Sequence, residues 1–236
     1  MNGAEALLKT VAAAGIDVCF ANGGTTEMPL IMAFDSVTGI KPMLGLFEGV
    51  CSGAADGYGR MKEKPALCLL HLGPGLANGV ANLHNARRAR TPLLNVIGEH
   101  ASWHMEANAP LAMDIECLCK TFSGWQRTVR SVETIARDAA DAIEAALRGQ
   151  IASLIVPSDH QWKEYRGKIP EVKREGFDPP DRSVIGSAAK MLKSAGKTAL
   201  VMNVRALRRR GLAAAGRIRA AAGCEQYCIN FPAYVD

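Results

Sequence analysis

Aromatic residues make up only 6% of the 236 positions, and none is interleaved with the one arginine-rich stretch, Arg205, Arg208, Arg209, Arg210, Arg217 and Arg219. A stacking platform for single-stranded nucleic acid is therefore not expected, and with a net charge of only +5 the cluster reads as a solvated helix face. Long hydrophobic runs are also missing: nothing approaches the roughly 18 apolar residues of a membrane span. The first helix carries Glu5 and has no apolar stretch of targeting type. Cysteine is present but unpatterned. Seven residues, an odd number without regular spacing, exclude the disulfide framework of a small secreted domain and predict reduced thiols in a cytoplasmic protein. Cys117-x-Cys119 and Cys224-x3-Cys228 lack the spacing of zinc sites, and His100-x3-His104 could share a helical face but stands in a glycine-preceded, proline-followed context that reads as loop, so no metal ligand is predicted among them.

Hydrophobic residues at 48% and charged residues at 22% provide for a substantial core. Apolar positions Ala4, Leu7, Leu8 and Val11 predict a helix over 3–14, stopped by Gly15. Strands follow at 17–20, 40–46, 66–71, 93–97, 126–129 and 151–156, with helices at 27–34, from Glu48, at 76–89, near 114–120, and after a cap at Ser131. Residues 98–113 lack periodicity and read as a long loop, which in a compact domain is usually functional or mobile. Strand–helix alternation over 1–162 predicts an α/β domain with a parallel sheet and helices on both faces. Residues 163–182, with Pro170, Pro179 and Pro180, read as a linker. Residues 183–236 predict a second, incomplete α/β domain of two strands and two helices.

The most informative stretch is 44–82. Glu48 stands between Leu46, Phe47 and Val50 at a strand-to-helix junction, where apolar neighbours would desolvate it for proton chemistry. A capping role at a helix N-terminus is the alternative. Short side chains at Gly49, Gly53, Ala54, Ala55, Gly57 and Gly59 leave the following helix open to close approach. Gly73-Pro74-Gly75 reads as a turn after the next strand, with His71 before it and Asn78 beyond. Gly73-x-Gly75 followed by Glu99 also admits a dinucleotide-binding reading, although Asn78 stands where the third glycine of that fingerprint belongs.

The series Gly15-Ile-Asp-Val-Cys-Phe20, Asn22-Gly23-Gly24, Phe47-Glu48-Gly49, Ala54-Ala-Asp56-Gly57-Tyr58-Gly59-Arg60, Gly73-Pro74-Gly75-x-x-Asn78 and Thr91-Pro92-Leu93 resembles the pyrimidine-binding domain of thiamine-diphosphate-dependent enzymes. Its acetolactate synthase-like and benzoylformate decarboxylase-like members are the most similar. The resemblance covers about residues 3–160, and the remainder resembles the start of that family's central domain. It implies that Glu48 is the glutamate that hydrogen-bonds N1′ of the aminopyrimidine and promotes loss of the C2 proton of the thiazolium, for attack on a 2-keto acid. It further implies that Asn22, Gly23, Gly24, Gly73, Pro74, Gly75 and Asn78 line the cofactor, and that His71 occupies the place of a catalytic histidine. The family's Pro-Gly is here Gly23-Gly24, and the Phe-Gln-Glu of acetolactate synthases is Pro110-Leu111-Ala112, which argues against acetolactate synthesis itself. No stretch resembles the family's Gly-Asp-Gly magnesium motif. The resemblance thus implies thiamine diphosphate held by its pyrimidine half, and Mg2+ only through a C-terminal domain that this sequence lacks. It implies a chain inactive alone, working as a homo-oligomer or with a diphosphate-domain partner, or else a non-catalytic module pairing with longer relatives.

Overall fold

The computed structural model describes residues 1–173, 178–194 and 196–229. Contacts divide the chain into two units, Met1–Arg174 and Glu175–Asp236. In the first, strands β1 (Val18–Asn22), β2 (Lys41–Leu44), β3 (Ala66–His71), β4 (Leu93–Glu99), β5 (Trp125–Thr128) and β6 (Ile151–Pro157) form one sheet. Their order is β2-β1-β3-β4-β6-β5, and every pair is parallel.

Alternation along the central strands sends side chains to two cores. Leu67 and Leu69 of β3 meet helices α1 (Gly3–Ala13), α2 (Met28–Ser36) and α6 (Ile135–Leu147). Ala66, Cys68 and Leu70 meet α3 (Glu48–Lys62), α4 (Leu72–Ala89) and α5 (Ile115–Lys120). Coverage on both faces explains why β3, β4 and β6 read as mostly apolar runs, with Asn95 of β4 and Ser153 of β6 buried inside them and hydrogen-bonded to each other at 3.3 Å. The first helix starts where its sequence says: Asn2 Oδ1 accepts from Glu5 N at 2.9 Å, and Glu5 Oε2 accepts from Asn2 N at 3.0 Å. This reciprocal cap satisfies two backbone donors that a helix leaves open.

Three expectations are corrected, and one element is added. Gly73-Pro74-Gly75 is no separate turn but the first turn of α4, because the reversal occurs in one residue, Leu72, at φ 51°. Pro74 is tolerated there since its missing N–H would have had no intrahelical acceptor. α6 starts after Thr134, not Ser131, whose hydroxyl instead accepts from Glu133 N in the preceding turn. A short helix, α7 (Ser158–Trp162), follows Pro157 directly. Finally, the first part of the expected linker packs on the domain. Tyr165 is buried, Ile169 and Val172 lie against the core, and Tyr165 N and Gly3 N donate to Met1 O and Lys163 O at 2.8 and 3.0 Å. These aromatic and aliphatic residues are spaced too widely among charges to show a period.

The chain runs from β1 out to β2 and then back across to β3 on the other side of β1, so the loops leaving β1 and β3 diverge and open a crevice at the carboxyl ends of the strands. At the opposite, amino end, polar groups tie the elements together. Asp17 accepts from Tyr58 Oη at 2.5 Å and Lys64 Nζ at 2.6 Å, and Asp56 accepts from Arg60 Nη2 at 2.6 Å and Thr91 Oγ1 at 2.6 Å.

The second unit holds α8 (Arg182–Ser194), β7 (Ala199–Met202), α9 (Arg209–Ala222) and β8 (Glu225–Cys228). Its two strands are parallel, and Met202, Leu207 and Ala215 form a small core. No helix among the described residues is long and apolar enough to cross a membrane.

Candidate active site at the carboxyl ends of the sheet

Three loops bring the residues singled out by sequence into this crevice. Glu48 is the first residue of α3, held there by the short reach from β2. Its Oε2 accepts from Asn78 Nδ2 at 3.0 Å, and Oε1 accepts no hydrogen bond among the described residues. A Cβ at Gly75 would lie 3.4 Å from Glu48 Oε1 and 3.3 Å from His71 Cβ, so the start of α4 passes between the two side chains. Asn22 Nδ2 donates to Gly45 O at 2.8 Å, fastening the end of β1 to the approach to Glu48. Gly24 presses on the His71 imidazole: a Cβ there would come within 2.6 Å of the ring. Gly73 is buried against Met113, Pro74 is exposed, and Gly23 lies beside Ile31. The apolar shell expected around Glu48 is not formed by this unit. Leu46 is 91% exposed, and Phe47 and Val50 also face outward, because β2 is the edge strand and nothing in the unit lies beyond it.

The site contains a residue that sequence did not single out. Glu27 is fully buried, and its carboxylate accepts from Gly24 N at 2.7 Å and Thr26 Oγ1 at 2.5 Å while meeting His71 Nδ1 at 2.7 Å. Thr26 Oγ1 also lies 3.1 Å from that nitrogen. An acid following Thr-Thr at the start of a helix reads as an ordinary N-terminal charge, and nothing local shows that it turns inward. The room for it comes from Gly98 on β4, where a Cβ would overlap Glu27 Oε1 at 1.5 Å.

Glu27's hydrogen bond raises the His71 pKa above 6.5, against the opposing effect of burial, with the charges of Glu27 and Glu48 adding to the rise. The sign of the linkage follows. Stability from this pair is fully present below about pH 6.5 and is lost as pH rises through the higher folded-state value. Urea midpoints measured from pH 5.5 to 8.5 should therefore fall in the wild type more steeply than in His71→Gln. Parallel profiles would show that the pair contributes nothing to the pH dependence.

The description "Thiamine pyrophosphate enzyme, N-terminal TPP binding domain" matches residues 1–116. The chain belongs to the thiamine pyrophosphate enzyme family. A Mycobacterium tuberculosis protein with the provisional name "acetolactate synthase large subunit IlvX" is 45% identical over 237 residues, covering 100% of this chain and 46% of that protein. Benzoylformate decarboxylase of Pseudomonas aeruginosa is 30% identical over 133 residues, 56% of this chain and 25% of the enzyme. The chain thus spans under half the length of these relatives. Its fold is that of the Rhodococcus jostii RHA1 thiamine diphosphate-dependent 4-hydroxybenzoylformate decarboxylase, with a TM-score of 0.87 at 23% identity, over 98% of this chain and 45% of the other. Membership in the thiamine pyrophosphate family replaces the dinucleotide reading of Gly73-x-Gly75. Among the described residues no group of three or more His, Cys, Asp or Glu side chains is arranged to hold a metal ion.

Proposed function

We propose that this chain supplies the pyrimidine side of a thiamine-diphosphate-dependent decarboxylase or carboligase acting on 2-keto acids. The observation that carries the reading is Glu48: a carboxylate oriented on one oxygen by Asn78, with its other oxygen open beside Gly75, in the crevice that also holds the Glu27–His71 pair. An acceptor of this kind fits the protonated ring nitrogen of an aminopyrimidine, and Asn22, Gly23, Gly24, Gly73, Pro74, Gly75 and Asn78 would line the same ring. When bound, thiamine diphosphate supplies a carbon nucleophile for the keto group. Glu48 holds the proton at N1′, and Asn78 keeps the carboxyl turned to it. Glu27 and Thr26 hold His71 in one orientation, and its imidazole serves as acid and base toward the substrate.

Diphosphate and Mg2+ belong, in this reading, to a second domain, in the same polypeptide or in a partner chain. The apolar collar of Leu44, Leu46, Phe47 and Val50 beside Glu48 supports such a cover, which would desolvate the carboxylate where this unit does not. Seven unpaired cysteines support a reducing, cytoplasmic setting.

The 236-residue chain with thiamine diphosphate and Mg2+ provides the test. Amide shifts on titration should concentrate at Gly24, Gly75 and Asn78, with binding weaker than about 1 μM and no turnover of 2-keto acids. Shifts unchanged by Glu48→Ala would remove Glu48 from the site. Affinity better than about 1 μM would show that the diphosphate side is not where most of the binding energy resides.

A further inference from the structure

A second cavity lies farther along the carboxyl edge, between the ends of β4, β5 and β6 and the loop 100–114. Its volume is about 270 Å³, the size of a small ligand rather than of a cofactor. Met105, Met113, Ile115 and Ile155 give it an apolar wall, and Glu99, His100, Asp114, Glu116, Thr128 and Arg130 its polar atoms.

Most of those polar atoms already have partners. Glu116 Oε1 accepts from Thr128 Oγ1 at 2.5 Å and from Arg130 Nη2 at 3.2 Å, and Asp114 Oδ1 caps α5 through Cys117 N at 2.8 Å. Two groups do not. Glu99 is 92% buried, since only 8% of it is exposed, and its single hydrogen bond is from His100 N to Oε1 at 2.7 Å. Its other oxygen has no partner among the described residues. His100 Nε2 is buried and has no hydrogen-bond partner among the described residues. Three carboxylates against one guanidinium leave the lining net negative whenever Glu99 is ionised. Burial raises the Glu99 pKa against the lowering effect of the hydrogen bond from His100 N, and the charge of Glu27 adds to the rise.

We propose that this cavity is a binding site for a small organic ammonium ion, its charged end held by the free oxygen of Glu99 and its apolar body by Met105, Met113, Ile115 and Ile155. A cation is favoured over an anion by the sign of the lining, and over a neutral alcohol because only a cation compensates the buried carboxylate. A bare metal ion is disfavoured because no group of three or more His, Cys, Asp or Glu side chains among the described residues is arranged to hold one. The site shares a wall with the crevice, since Gly98, the residue before Glu99, is packed against Glu27, so an occupant would also be felt at His71.

The test uses the whole chain and n-butylammonium, with 1-butanol and butyrate as isosteres, followed by NMR and calorimetry. Saturable binding of butylammonium should be about tenfold or more tighter than that of butanol, with shifts centred on Glu99 and His100 and no binding of butyrate. Glu99→Gln should abolish the preference for the ammonium. Equal affinities for butylammonium and butanol in the wild type, which needs no variant to fold, would overturn the proposal. So would absence of saturable binding, or a preference that persists in Glu99→Gln.

Discussion

Replacing Glu48 with Gln, in this chain joined to a diphosphate-side domain as proposed above, is expected to lower kcat about 10²- to 10⁴-fold, the usual scale of a lost acid–base group. The amide keeps the volume and can still accept from Asn78, now 3.0 Å from Oε2, but it cannot hold and return a proton. Stability should change by about 1 kcal/mol or less, because Glu48 is partly exposed, the amide keeps the hydrogen bond from Asn78, and what is lost is a negative charge at the start of α3. The two readings of this residue therefore separate cleanly. A variant with normal kcat and a lowered urea midpoint would make Glu48 a helix cap. A variant with a normal midpoint, low kcat and slowed exchange of the cofactor C2 proton for deuterium would make it the proton-holding group.

The largest effect on stability is expected from one methyl group. In Gly98→Ala the new Cβ would fall 1.5 Å from Glu27 Oε1, and Glu27 cannot retreat, being fully buried and tied to Gly24 N, Thr26 and His71. Either β4 shifts or the carboxylate leaves its partners. Overpacking and an orphaned buried acceptor together cost about 2–5 kcal/mol. The pH dependence owed to His71 should disappear with it. Gly57→Ala is the matched control: a Cβ there meets nothing within 4 Å, and a helical alanine should be neutral or stabilising by up to about 1 kcal/mol. If Gly98→Ala costs no more than about 0.5 kcal/mol, Glu27 is not fixed as described.

Sequence carried what is periodic or punctuated. The strands near 66–71, 93–97 and 151–156 were legible because both faces are buried, and α1 because its apolar positions recur every three to four residues. Asn22, Gly24, Glu48, His71, Gly75 and Asn78 stand in an ordered motif, and the fold gathers them in one crevice. What stayed hidden depends on tertiary contact. Glu27 looks like any N-terminal helix acid until Gly98, 71 residues later, makes room for it. Glu99 reads in sequence as part of a dinucleotide fingerprint, and its unpartnered oxygen is visible only once β4 and β6 lie side by side. Tyr165, Ile169 and Val172 lie in a stretch whose charge and prolines say linker, and only the α1–α6 surface shows what they cover.

The two rims of the sheet carry different burdens. The carboxyl rim concentrates exposed or strained groups, with Leu72 at positive φ, a carboxylate buried beside an imidazole and an open oxygen on Glu48, whereas the amino rim holds the Asp17–Tyr58–Lys64 and Asp56–Arg60–Thr91 networks. Evolution can therefore alter the two independently. A change in the crevice that weakens the fold can be offset by a better ion pair at the far end of the same strands. Substitutions that stabilise this domain without altering the crevice are best sought at the amino rim.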